Sequence, residues 1–190
     1  MKKSLLFAAL LALAAISVQA QSTTWEIDPA HANAQFVVRH LGISNVQGEF
    51  TKVSGTVQLD EKNLEKSSVA ATIDVSSVDT RNATRDKDLL SENFFNVAKY
   101  PAMTFQSKRI ERAGEGKLKV TGDLTLHGVT REVTLDVDGP SNAIKDPWGN
   151  MRRGLSGTTK IDRRDFGITA DAGMVGNEIT ITLDVEMVKK

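Results

Sequence analysis

The sequence has no cysteine, which rules out disulfide staples, thiol redox chemistry, Cys-ligated zinc and an acylated N-terminal cysteine. Nor is there a surplus of charge of one sign: 24 Lys and Arg stand against 24 Asp and Glu over 190 residues. Without basic groups to spare for phosphates, nucleic acid is not an expected partner. No long run of like charge suggests a patch for an anionic membrane. Signatures of nucleophilic and phosphate chemistry are missing as well. There is no Gly-x-Ser-x-Gly elbow and no Gly-rich loop ahead of a helix. Gly154-Leu155-Ser156-Gly157 falls short of the elbow and lies in a strand-like stretch. The three histidines, His31, His40 and His127, are not spaced as a metal motif requires. No catalytic and no metal-ligating residue is therefore assigned. Internal repeats, low-complexity tracts and linkers are absent too.

What is present begins with a targeting pattern. Met1-Lys2-Lys3 is a short basic start, Leu5 to Ile16 is an unbroken run of twelve apolar residues, and Val18-Gln19-Ala20 offers small residues for cleavage. Twelve residues make about 18 Å of helix, short of a bilayer core of roughly 30 Å. Residues 1–20 read as a cleaved export signal and not a membrane anchor, so the expected location is the periplasm. Residues 21–190 read as a single domain with a full-sized core.

Within that domain the dominant signal is period two, the alternation of half-buried strands. Ala34, Phe36 and Val38 share one face, as do Val69, Ala71, Ile73 and Val75. Leu118, Val120, Leu124 and Leu126 form a third set, and Val133, Leu135 and Val137 a fourth. Ile179, Ile181, Leu183, Val185 and Met187 make the cleanest one. Val46 and Phe50 sit on even positions but Val53, Val57 and Leu59 on odd ones, which predicts a bulge near Thr51-Lys52. With Trp25–Asp28 and the stretches near 103–110 and 154–162, about eight or nine strands result. Their short, turn-rich connections favour antiparallel pairing, and closure into a barrel removes exposed edges. One segment differs. Asp79-Thr80 can cap a short helix over Asn82–Leu90, with Arg85, Asp86 and Asp88 on the wet face and Leu89-Leu90 in apolar contact. The expected helical insertion covers about 80–97 and would lay Phe94-Phe95 over a barrel mouth or side.

The polar candidates have ordinary readings. His31 follows an Asp28-Pro29 turn, His127 sits at a turn tip, and both can be satisfied by local hydrogen bonds. Arg163-Arg164-Asp165 reads as an ion-paired turn, or more sharply as a polar gate or headgroup contact beside Phe166. The aromatics weigh more. Six of the seven phenylalanines lie beyond residue 20, on several strands and on the insertion, so closure would gather them round one interior. An eight-stranded barrel can hold one small ligand, and an interior of this composition favours an oily one.

The order of several short blocks then resembles the YceI-like, polyisoprenoid-binding proteins. They are Trp25-x-Ile27-Asp28-Pro29-x-His31, Phe36-x-Val38-x-His40-Leu41 and Val46-x-Gly48-x-Phe50. Val78-Asp79-Thr80, Arg85-Asp86, Leu89-Leu90 and Asn93-Phe94-Phe95 follow, then Tyr100-Pro101 and Phe105-x-Ser107. Gly122-Asp123-Leu124-Thr125-x-His127-Gly128-Val129-Thr130 and Arg164-x-Phe166-Gly167 complete the set. The resemblance implies an all-β fold, a closed antiparallel lipocalin-like β-barrel, holding an isoprenoid or quinone-like lipid or a fatty amide. It implies export to the periplasm and a possible homodimer, and it carries over no cofactor and no catalytic residue. Lipid carriage, quinone supply and a stress role stay open. The expected apolar pocket is Phe36, Val38, Phe50, Val57, Ile73, Leu90, Phe94, Phe95, Met103, Phe105, Leu124, Leu126, Leu135 and Phe166. The expected polar mouth is His40, Arg85, Asp86 and Arg164. Two rivals are an enzyme acting on such a lipid, with His31 or His40 as general base near Asp28 or Asp86, and a partner-binding module whose barrel is merely a filled core.

Overall fold

In the computed structural model, which describes residues 22–190, the longest element is the first strand, β1 (Thr23–His40). The expected export signal lies outside the described residues. The sequence suggests a strand at 25–28 and then a turn, yet one 18-residue strand runs through. A register shift between Ile27 and Ala32 absorbs the irregular residues, and Asp28 accepts the Ala30 N–H there at 3.0 Å. Pro29 is tolerated because a bulge asks no ladder hydrogen bond of it.

Next come β2 (Ser44–Phe50) and β3 (Val53–Leu59). Both lie against β1, β2 along residues 34–40 and β3 along 23–26. They are one bent strand broken at Thr51-Lys52, where the phase of the apolar residues changes. β4 (Ser68–Asp74) pairs with β3, and the two-residue β5 (Val78–Asp79) with β2. After the helix α1 (Ala83–Leu89) come β6 (Ala102–Gly114), β7 (Lys117–Leu126) and β8 (Val129–Asp138). β9 (Ile144–Lys145), β10 (Met151–Asp162) and β11 (Val175–Lys189) complete the chain. The ring runs β1–β3–β4–β6–β7–β8–β10–β11, and β11 pairs back onto β1, so eight antiparallel strands close a barrel.

The helix differs from expectation in its cap. Asn82 accepts the Arg85 N–H at 3.1 Å and is the N-cap, not Asp79 or Thr80. Thr80, 2% exposed, is a clasp instead. Its N–H and hydroxyl donate to one Asp86 carboxylate oxygen at 2.9 and 2.6 Å, and its hydroxyl and carbonyl accept from Arg85 at 2.8 and 2.7 Å. Arg85 and Asp86 are thus half-buried rather than on the wet face. They tie α1 down so that Leu89, Phe94 and Phe95 pack on the barrel.

A candidate ligand cavity closed at one end

Inward positions on the strands do not all meet partners. Phe36, Val38, Ile73, Leu124, Val133, Leu135, Ile179, Ile181 and Leu183 face inward yet are only half-buried. The surface they retain is that of a cavity of about 250 Å³, lined almost wholly by hydrocarbon. Two glycines help to keep it open. A Cβ on Gly48 would lie 2.4 Å from the Phe36 ring, and one on Gly122 would lie 2.6 Å from the Phe105 ring. The far edge of each ring therefore rests against backbone that only a glycine leaves bare.

One end is sealed. Trp25 and Met187 are fully buried and pack with Val57 and Leu59, while Ile110, Leu118, Val120 and Val137 form a second plug beside them. The Trp25 indole N–H donates to the Thr23 hydroxyl at 2.8 Å, and the Arg153 guanidinium lies over its ring at 5.3 Å. At the other end the wall residues Val38, Leu89, Phe95 and Val175 stay half-buried, and the cover is irregular chain. It consists of α1 with the turns after it, the β1–β2 turn and the 163–174 segment. Leu41 and Ile43 are exposed at the tip of the β1–β2 turn, and the Leu41 N–H donates to the Met174 carbonyl at 2.7 Å.

Twelve of the fourteen expected pocket residues line this cavity: Phe36, Val38, Phe50, Val57, Ile73, Phe94, Phe95, Met103, Phe105, Leu124, Leu126 and Leu135. Leu90 does not. It caps the C-terminus of α1, and Leu89 takes the lining place. Phe166 does not either: at 1% exposure it is packed solid beside the β7–β8 turn, where His127 Nδ1 lies 3.1 Å from its carbonyl oxygen. Sequence reasoning passed over Ile179, Ile181 and Leu183 as lining residues, although their alternation is the cleanest in the chain.

The expected polar mouth changes most. Arg85 and Asp86 are consumed by Thr80, and His40 is a ladder residue opposite Ser44 and Val175. Arg164 points to solvent and pairs with Asp162 at 2.6 Å, holding that carboxyl down to about 2. Its neighbour Arg163, 4% exposed, is the basic residue that lines the cavity.

None of the three histidines lines the cavity. His127 is in a left-handed turn with Gly128 (φ 52° and 73°), edge-on to Tyr100, which is a local role. His31 Nδ1 lies 3.0 Å from Asp28, away from the lumen. That Asp28 belongs to an ionic knot around Arg152, whose guanidinium donates to Asp28 at 2.6 Å and Asp146 at 2.8 Å and reaches Glu186 at 3.3 Å. Arg152 holds the Asp28 and Asp146 carboxyls each down to about 2, and in return its own proton is held more tightly. Asp28, His31 and Glu186 converge within 4.8 Å, but Arg152 already supplies the positive charge there.

Known proteins share this architecture. A Burkholderia cenocepacia BcnA structure superposes with TM-score 0.74 at 26% identity, covering 84% of this chain and 98% of that one. A Campylobacter jejuni YCEI protein gives 0.68 at 35% identity, over 80% and 90% of the two chains. A polyisoprenoid binding domain from Saccharophagus degradans gives 0.66 at 16% identity, over 88% and 99%, and shares the fold. A UPF0312 protein of Vibrio parahaemolyticus is 41% identical over the full length of both chains, as is the Protein YceI of Salmonella arizonae. The model of the YceI-like domain matches residues 25–187, from the Trp25 plug to the Met187 that packs on it, so the chain belongs to the YceI-like family.

Proposed function

We propose that this protein is a periplasmic carrier that holds the tail of an isoprenoid or similar long-chain amphiphile inside its barrel, and that it acts by binding and not by turnover. The observation that carries this reading is the set of inward apolar side chains that keep free surface around a closed-ended cavity of about 250 Å³. The printed description of the Saccharophagus neighbour as polyisoprenoid binding, and membership of the same family, support it. The basic start and apolar run ahead of Val18-Gln19-Ala20 support export. Among the described residues no helix is long and apolar enough to cross a membrane.

The energetics set a lower bound on the ligand. A methylene displaces about as much volume as a water, roughly 30 Å³, so the cavity takes at least about eight such groups. At about 0.8 kcal/mol each they give about 6 kcal/mol of gross driving force. Micromolar binding needs about 8 kcal/mol before any ordering cost. Tails shorter than about ten carbons are therefore not retained. Tail identity is read weakly, since one methylene discriminates by only about 1–3 kcal/mol.

Organic extraction of freshly purified protein, with mass spectrometry of the extract, tests the proposal. A near-stoichiometric long-chain amphiphile is expected. An empty extract, together with no thermal stabilisation by added geranylgeraniol, overturns it.

A further inference from the structure

Among the described residues five large apolar side chains are exposed, and they gather at the two ends of the barrel. Ile144 and Trp148 belong to the hairpin of β9 and β10, whose Met151 packs against the sealed end. Leu41, Ile43 and Met174, 51%, 77% and 48% exposed, crown the unsealed one. They come from two turns that stand side by side, joined where the Leu41 N–H donates to the Met174 carbonyl at 2.7 Å. A Cβ on Gly42 or Gly173 would meet nothing, so both tips project into open space. The rim is also held in place. Arg163 donates to the carbonyls of Ile168, Ala170, Val175 and Gly176, and Arg39 Nη2 donates to that of Gly42 at 3.0 Å. Leu41 stands there against two local preferences. Its φ of 50° is in the left-handed region, where a turn favours Asn or Gly, and half of its surface is in water. A local conflict of this kind points to function. Met174 is followed by Val175, and Leu41 is three residues from Val38, both of which line the cavity.

We propose that these two turns dock the open end on a lipid bilayer, inserting Leu41, Ile43 and Met174 at the acyl boundary so that cargo passes between membrane and lumen without crossing water. The inference rests on the carrier reading and deepens it. Each methylene that must enter water on the way slows the passage by about fourfold, so a long tail needs direct contact. Size favours a bilayer over a second copy of the chain. A stable dimer buries about 800 Å² and about 20–30 residues a side, far more than these tips offer. A few apolar side chains at the acyl boundary are enough for a reversible hold on a membrane. Charge points the same way. Apart from His40, the ionisable side chains of 39–45 and 170–177 are Arg39 and Asp171, whose signs cancel. Attachment is therefore through hydrocarbon, and no anionic headgroup is selected.

The test reads both ends of the barrel at once. The chain has no cysteine, so Ser44→Cys carries a single nitrobenzoxadiazole dye beside the tips. Trp148, 81% exposed, reports on the opposite end, since Trp25 is already buried. Phosphatidylcholine vesicles are expected to raise the dye emission severalfold, equally when phosphatidylglycerol is mixed in, and to leave the tryptophan emission where it is. Leu41→Asn together with Ile43→Ser weakens vesicle binding about tenfold or more, the scale of one buried leucine, while geranylgeraniol affinity without vesicles is unchanged. Asparagine suits the left-handed turn, so the fold is not at risk. Dye emission that ignores vesicles overturns the inference. So does a blue shift of Trp148, which puts the other end on the membrane, or dye emission that rises with protein concentration alone, which makes the occupant a second copy. Vesicle binding unchanged in the double variant overturns it as well. Failure of the wild type to bind geranylgeraniol is a different result, which removes the carrier reading and the inference with it.

Discussion

Gly157 offers the sharpest test of whether the barrel is vacant or filled. It lies on the inward face of β10 between Val137 and Leu183, and a Cβ there would meet its nearest neighbour at 3.6 Å, an ordinary contact. Gly157→Leu adds four carbons to a lumen of about 250 Å³. If that lumen is vacant, the new side chain occupies the place of about four ligand methylenes. At about 0.8 kcal/mol each the loss is about 3 kcal/mol, or about 200-fold in affinity. The folded protein meanwhile gains, because the leucine buries apolar surface without displacing atoms and a strand glycine is removed. A tightly packed interior gives the opposite pair of signs, with overpacking costing about 1–3 kcal/mol. Urea unfolding and a displacement titration with geranylgeraniol read both quantities on one sample. A lower urea midpoint with unchanged lipid affinity refutes the reasoning.

Two further outcomes follow from the polar scaffolding. Asn82→Ala removes the N-cap of α1, which costs about 1 kcal/mol and exposes the cover locally. Amide hydrogen exchange over 83–97 is expected to speed up about fivefold while the strands are unaffected, and uniform exchange changes would contradict it. Around Arg152, the Asp28 and Asp146 carboxyls are near 2 in the folded protein against an ordinary value of 3.8. Their contribution to stability is fully present above about pH 4 and is lost as pH falls through 2. Arg152→Met takes away its chief cause, so the acid-unfolding midpoint, followed by circular dichroism, rises; an unmoved midpoint counts against the knot.

Period two was enough to find the barrel, because a strand with one wet face writes its burial into neighbouring residues. The bend at Thr51-Lys52 was legible for the same reason, as a change of phase. What escaped depends on contacts the local pattern does not contain. β1 looked interrupted at Asp28-Pro29 because only its pairing with β11 shows the irregular residues to be a bulge. Leu89 and Leu90 differ by one position of a seven-residue helix, too short for an apolar stripe to fix its rotation. Arg163 and Arg164 were separable in principle: extending the parity of Thr159 and Ile161 by one step selects Arg163. The expected polar mouth takes Arg164 instead. The burial of Thr80 has no local signal, since it comes from Gly48 leaving room on β2 and from two partners on α1.

The pairing of the first strand with the last has a cost in time. Trp25 lies opposite Lys189 in the ladder, so the ring joins residues more than 160 positions apart. Contacts of such wide sequence separation must wait for a long loop to close, which slows folding relative to proteins built from local contacts. During synthesis β1 has one of its two hydrogen-bonding edges vacant until the fifteen residues of β11 emerge. A chain arrested just short of them holds nearly every hairpin of the finished protein and still has an unprotected sticky edge, the kind on which strands from other molecules add.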